Sequence, residues 1–524
     1  MTNPSLTTWN MRTAPRLRSL LAAAFIALAP AIVMAQEGSA EITWQRFLED
    51  AGIKAEDLDA FDEWSGSLTE PQADLAARII FRLEQWRFIG GSLAPPAAST
   101  STELQDGKLV TVSGRASDIT KVNLPPSAGA ALEQDELFQC RITPADGSTV
   151  TVLSRRAPAA WLNRSPRLLD EPVTVQGVFV GSMRDEGRMH PLVIASRIEW
   201  RPESNVSAGV AWLAERGFDA ALLDEIRHGR AFAKPHESLE SLAFYRCLAI
   251  VAGSSPEELI QLARATLPAK VEEAQANLAD ARAKRESLTE KWNDATPAER
   301  KQLRDRFAAA RRRQAIAAGV VERAERGTSS VVPLFLEPQK NTGEAVLIEG
   351  TARRAIRIVL DEDARRAANA DDADAERTNE PHSLTEYYEL DVFTTDSQNL
   401  PVICCVARLP EGFPIGDAIR EPVRIGGIFF KQWSYVRRED NAAVSMKNRP
   451  PERLHPPLVV AAAPQWLRTT EPATPQYRGL WAGLAFLAVF LVMVVTLLRV
   501  SRRDRLAQAR QARYDSPLEN IAEP

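Results

Sequence analysis

The chain has 524 residues and a formal net charge of −5, with 45% hydrophobic and 25% charged residues. That length leaves room for roughly two to four domains, and the ordinary composition excludes disorder as the main theme. The acidic balance argues against a dedicated nucleic-acid binder, while four cysteines and five histidines exclude a disulfide-dense scaffold and leave little for a histidine-rich metal site.

In chain order, residues 1–35 read as an export signal. Arg12, Arg16 and Arg18 precede an apolar run over 20–32, and Val33-Met34-Ala35 places small residues before Gln36. The run falls short of the ~20 residues needed to span a bilayer, so cleavage is expected. Residues 36–90 carry apolar residues at helical spacing, and 91–106 form a Pro- and Ser-rich linker.

The most informative feature is an internal repeat. Glu171-Pro172-Val173-Thr174-Val175-Gln176-Gly177 is matched by Glu421-Pro422-Val423-Arg424-Ile425-Gly426-Gly427, and His190-Pro191-Leu192 by His455-Pro456-Pro457-Leu458. Each stretch ends on a tryptophan, Trp200 or Trp466. Upstream, Val112-Ser113-Gly114-Arg115-Ala116 matches Ile348-Glu349-Gly350-Thr351-Ala352. The match extends into the lead-ins, with Phe47-Leu48 and Gly52-Ile53 against Trp212-Leu213 and Gly217-Phe218. The unit is therefore a helical segment followed by a β module: 36–90 with 107–201, then 205–266 with 343–468.

In the first module, strands are expected over 109–122, 137–143, 149–155, 172–180 and 192–200, with a short helix over 158–163. In the second they are expected over 345–358, 387–393, 401–407, 422–430 and 457–463. Gly114 allows a bend in the long first strand. This β-β-β-α-β-β order with a bent first strand resembles the OB-fold, a small Greek-key barrel. The resemblance implies an α+β chain with two small barrels and a ligand face across strands 2–3. Phe138 in the first copy, and Tyr387 and Tyr388 in the second, would stand on that face. Glu386, Glu389 and Asp391 around the tyrosines repel a phosphate backbone, so nucleic acid is not the expected ligand.

The copies differ by an insertion at 267–327. Ala274, Leu278, Ala281, Leu288 and Trp292, then Leu303, Phe307, Ala310 and Ala317, keep heptad-like spacing on either side of the helix start Thr296-Pro297-Ala298-Glu299. An antiparallel coiled-coil hairpin ~40 Å long is expected, with Trp292 near its tip and Arg311-Arg312-Arg313 on its surface. It is the expected site of contact with a protein partner or a second copy. A long loop over 361–382 is acidic but lacks the ligand spacing of a calcium loop.

After a stalk at 469–478, residues 479–498 are apolar and uncharged, long enough for a membrane span. Arg499, Arg502, Arg503 and Arg505 follow, which puts the tail 499–524 in the cytoplasm and 36–478 outside it, on the periplasmic side of a cell membrane. No nucleophile elbow, P-loop, dinucleotide fingerprint or zinc motif occurs. Cys404-Cys405 alternate across a strand and are not expected to share a metal, and Cys140 and Cys247 read as buried thiols. No catalytic, cofactor-binding or metal-ligating residue is assigned. The expectation is a non-catalytic binding or assembly protein, the alternatives being an anchored enzyme with a site between the repeats or a purely structural envelope component.

Overall fold

The computed structural model describes residues 44–62, 64–89, 106–162, 169–185, 187–234, 238–369, 384–436, 453–468 and 477–514. The expected signal, nearly all of the linker, the acidic positions 371–376 and most of the stalk lie outside the described residues. Residues 1–53 and 54–524 are separate compact units. In the first, helix α1 (Trp44–Glu49) ends in a turn where Gly52 takes φ +68° and the Ile53 amide donates to Leu48 O at 3.1 Å. A positive φ at a helix end favours glycine.

In the second unit, β1 (Leu109–Asn123), β2 (Glu136–Thr143), β3 (Val150–Arg156), β4 (Glu171–Asp185) and β5 (Arg188–Arg197) close into a barrel. The order is β1-β2-β3-β5-β4 and back to β1, with β3 and β5 parallel. β6 (Glu199–Trp200) pairs with the start of β4. The second barrel repeats this order with β7 (Ala345–Val359), β8 (Glu386–Phe393), β9 (Val402–Val406), β10 (Glu421–Gln432) and β13 (Pro457–Ala461). β14 (Gln465–Trp466) stands in the place of β6, and β11 (Tyr435–Val436) with β12 (Arg453–Leu454) forms an added two-stranded ribbon.

One long strand serves two neighbours in each barrel. β1 pairs with β4 through Leu109–Ala116 and with β2 from Arg115 onward, and β7 does the same with β10 and β8. The crossover residue is Gly114 or Gly350. A Cβ at Gly350 would stand 2.5 Å from Phe393 O, and one at Gly114 would press on Thr143 O in the same way. Only glycine lets the strand fold over its partner there.

The matched sequences fall on matching strand positions. The ladders slip at Ala116/Asp118 and Ala352/Arg354, and again at Phe179/Gly181 and Phe429/Lys431. Trp200 Nε1 donates to Glu171 at 3.0 Å, and Trp466 Nε1 to Glu421 at 2.8 Å. Lys121–Glu136 is replaced by Arg357–Glu386. The ion pair beside the bulge is inverted, Arg141–Asp118 in one barrel and Arg354–Asp391 in the other. Such cross-strand pairs contribute ~0.2–1 kcal/mol each, so either orientation satisfies the position.

Helix α2 (Glu70–Ile89) accompanies the first barrel, and α3 (Leu239–Ala252) lies on the second. The short helix Ala208–Glu215 links the two, placing Val210 in the first barrel's core and Trp212 and Leu213 in the cluster beneath α3. Like Gly52, Gly217 ends its helix at φ +86°, with Phe218 N on Leu213 O at 3.0 Å.

The first helix of the pair starts ahead of the heptad-spaced stretch. Helix α4 runs from Pro256 to Asp294 and carries Pro268 inside it. Proline removes one helical hydrogen bond, but Leu259, Ile260, Ala263 and Leu267 in the turns before it are buried, which outweighs that loss. Helix α5 (Pro297–Glu325) starts on the expected cap, with Thr296 N donating to Glu299 Oε2 at 2.8 Å. The two helices lie side by side, Arg285 Nη1 on Gln314 Oε1 at 3.0 Å, with Ala274, Ala281, Leu303, Ala310 and Ala317 buried between them.

The acidic loop opens with a helix, Glu362–Asn369, whose Ala364, Ala367 and Ala368 pack under α3. Helix α6 (Tyr477–Tyr514) contains a stretch, Gly483–Leu506, long and apolar enough to cross a membrane.

Candidate functional site

The strand-2 aromatics do not form an open stacking face. Tyr387 is buried, its ring edge-on to Phe244 of α3 at 5.9 Å and its hydroxyl donating to Glu389 Oε1 at 3.3 Å. Burial pushes the Tyr387 phenol far up and holds the Glu389 and Asp391 carboxyls above their usual range. Tyr388 and Phe138 occupy equivalent positions, half-buried against their barrel cores, and Tyr388 donates to Glu386 at 2.9 Å. The helical cover over β8 is what strand alternation alone does not reveal.

The arginine triplet is divided. Successive helical residues turn by about 100°, so three neighbours cannot share one face. Arg311 lines a depression of about 390 Å³ at the helix tip together with Thr289, Trp292, Arg304, Phe307 and Ala308. Arg312 turns back to donate to Leu336 O, and Arg313 borders a cleft of about 420 Å³ at the helix base. At the tip, Trp292 stands edge-on to Phe307 at 5.8 Å, and the Arg300 guanidinium lies 5.6 Å from the Trp292 ring centre. Trp292 and Phe307 are half-buried, and Arg304 and Arg311 are exposed.

A groove of about 900 Å³ runs between residues of both modules and includes Arg197, Arg216, Arg408 and Glu386. Two of its arginines hold structure. Arg216 stacks on Trp212 at 4.1 Å and pairs with Glu258, and Arg408 donates to Ala252 O and Ser254 O where α3 ends. Of the carboxyls held above their usual range, Asp106, Asp224, Glu389 and Asp391, none lines this groove, the tip depression or the cleft at the helix base. Among the described residues no group of three His, Cys, Asp or Glu could hold a metal ion. The four cysteines are unpaired and buried, with burial pushing the Cys140 and Cys247 thiols up to about 12. Cys404 faces the second barrel's interior and Cys405 the cluster beneath α3, as alternation requires.

Sequence reasoning missed a buried polar cluster where the second helical segment meets its barrel. Lys431, fully buried on β10, donates to Glu240 Oε1 at 2.6 Å and lies 4.6 Å from the Phe232 ring. A lysine inside Ile428-Phe429-Phe430-Lys431 was the available signal. Beside it, His228 Nδ1 accepts from Gln432 N at 3.1 Å, and Nε2 lies 3.3 Å from Thr342 Oγ1. Burial, and then the Lys431 charge, lower the His228 pKa to about 4. The folded state therefore prefers neutral imidazole, while the unfolded chain takes up the proton near pH 6.5. Stability is fully present above pH 6.5 and falls as pH drops toward 4. A loss of about 2 kcal/mol across that window is expected after allowing for partial solvation. Denaturant titrations at several pH values check it, with His228→Asn removing this contribution.

No protein-family model matches the chain, and neither a curated protein nor a solved structure matches it.

Proposed function

We propose that this chain is a single-pass membrane-anchored binding and assembly protein that contacts a protein partner through the tip of the α4–α5 pair. Both barrels are read as OB-folds, on the β1-β2-β3-β5-β4 closure, the parallel β3–β5 pairing and the short helix Ala159–Leu162 between β3 and β4 of the first. In this reading the barrels are a scaffold, since the strand-2 face of the second is covered by α3. The arginines after the apolar stretch of α6 favour a cytoplasmic tail and an exported body.

The observation that carries the reading is the tip itself. Past Arg312, which still reaches the base at Leu336 O, the two helices run on for about 20 Å and end in a tryptophan and a phenylalanine that border a depression flanked by exposed arginines. Tryptophan and arginine dominate interface energetics when a partner excludes water from them.

The test is to replace residues 282–309 with a short Gly/Ser linker. This spares Lys270, which pairs with Glu344, and Arg323, which bonds Thr395 and Glu349 O, so the base of the helix pair stays anchored. The shortened chain is expected to fold and insert normally and to lose its crosslinks in membranes. Unchanged crosslinking by a folded, shortened chain refutes the tip as the contact.

A further inference from the structure

The helix pair leads into a short helix, Val332–Leu336, which forms one wall of a cavity of about 330 Å³ on the second module. The turn between β8 and β9 supplies Leu400 and Pro401 to it, and the stretch from β12 into β13 supplies Leu454 and Pro456. Leu336 is 36% exposed to water and Leu400 37%, so the cavity opens between apolar side chains that are only partly covered. Covering them is favourable in proportion to the apolar area removed from water.

The wall offers a ligand hydrocarbon and little else. Phe335 O already accepts from Gln432 Nε2 at 3.2 Å, Leu336 O from Arg312, and Pro456 O from Trp433 N at 2.8 Å. Pro401 and Pro456 have no N–H to give. A peptide main chain needs a partner for each N–H and C=O it buries, so this wall suits an acyl chain better than an extended peptide. At ~30 Å³ for a water-sized group, the cavity holds a chain of roughly eight to ten carbons, at the small end of ligand sites.

The free charge in the lining is positive. Arg453 and His455 are exposed, and neither makes an ion pair or a side-chain hydrogen bond among the described residues. Asp396, the carboxylate in the lining, is already satisfied. Its Oδ2 accepts from Ser330 Oγ at 2.9 Å and Val331 N at 3.0 Å, and its Oδ1 from Thr394 Oγ1 at 2.8 Å. A guanidinium and an imidazole N–H are therefore left for an incoming carboxylate. The first barrel carries the same run as Arg188-Met189-His190-Pro191 on β5, but Met189 stands exposed where Leu454 is half-buried. The run alone does not make the site; the short helix and the turn around Leu454 do.

We propose that this cavity binds a medium-chain fatty acid, its carboxylate on Arg453 and His455 and its tail against Phe335, Leu336, Leu400 and Leu454. The site is separate from the tip of the helix pair, so it stands whether or not the tip is the contact surface.

The test uses the full chain in lipid nanodiscs and an octanoate carrying a diazirine at its tail end, with the photolabelled peptides mapped by mass spectrometry. Label is expected on 332–336, 400–401 or 454–456, displaced by excess octanoate and not by octanol or octylamine. Arg453→Glu is expected to lower this labelling roughly tenfold or more, because it removes a charge-assisted hydrogen bond and adds repulsion. Leu400→Asp is expected to lower it as much from the tail side. Both side chains are exposed, so folding is expected to survive either change, and Arg188→Glu in the first barrel is expected to leave the labelling as it was. Label confined to the apolar stretch of α6, equal displacement by octanol, or unaltered labelling in Arg453→Glu overturns the proposal. Stronger displacement by a tetrapeptide ending in leucine with a free carboxylate also overturns it, since the occupant is then the end of a protein chain.

Discussion

Replacing Lys431 by methionine is expected to destabilise the fold by about 3–5 kcal/mol, because it leaves the Glu240 carboxylate buried without its cation. Lys431 is fully buried and Glu240 nearly so, and Glu240 Oε1 also accepts Arg227 N at 2.8 Å. The interaction ties β10 to α3 and to the chain leading into it. The first barrel has no such tie, since the position equivalent to Lys431 is Gly181, at φ +135°. Adding Glu240→Gln to Lys431→Met is expected to recover more than half of the loss, because a neutral amide still accepts from Arg227 and no unpaired charge remains. Urea unfolding of the two single variants and the double variant measures this. A single Lys431→Met costing under about 1 kcal/mol contradicts the assignment of the pair as the clasp of the second module.

Strand order and barrel closure were legible because they depend on period-2 alternation and on glycines at crossovers, both local signals. Val173 and Val175 are buried between half-exposed Thr174 and Gln176, and Gly114 and Gly350 mark the folded-over strands. The heptad alanines of the insertion were legible for the same reason. The start of α4 was not, because the heptad spacing sets in only after Pro268, and only the burial of Leu259 and Ile260 against β10 shows why the helix runs through that proline.

The candidate site was less legible than the fold. Trp292 was visible as a tip aromatic, since its distance from the Thr296 cap is fixed by sequence. The covering of Tyr387 by α3 depends on residues well over a hundred positions away, and no local pattern carries it. The arginine triplet read as one patch in the linear chain and points in three directions on the helix. Lys431 was readable as an anomaly, a charge inside an apolar strand, but its partner Glu240 sits in an unremarkable helix start.

The docking of the helix pair on its barrel depends on Gly426. A Cβ there would stand 2.5 Å from Ile260 N and 2.7 Å from Ile260 Cα and Leu259 C. These are backbone atoms of α4, so no side-chain rotation relieves the contact, and either the helix start or β10 must shift. Leu259 and Ile260 are buried in the cluster that joins α4 to the second barrel. Gly426→Val is therefore expected to cost about 3 kcal/mol, at the upper end for overpacking a well-filled core. The first barrel supplies the control. Its equivalent residue is Gln176, half-exposed on β4 beside Gly177, so Gln176→Val is expected to stay within about 0.5 kcal/mol of the parent. Denaturant unfolding measures both costs. Limited proteolysis locates the first, with new cleavage expected near the start of α4 in Gly426→Val and an unchanged pattern in Gln176→Val. Equal costs for the two substitutions would mean that α4 is not held by this close approach, and the helix pair would then lack the rigid base that its outward reach requires.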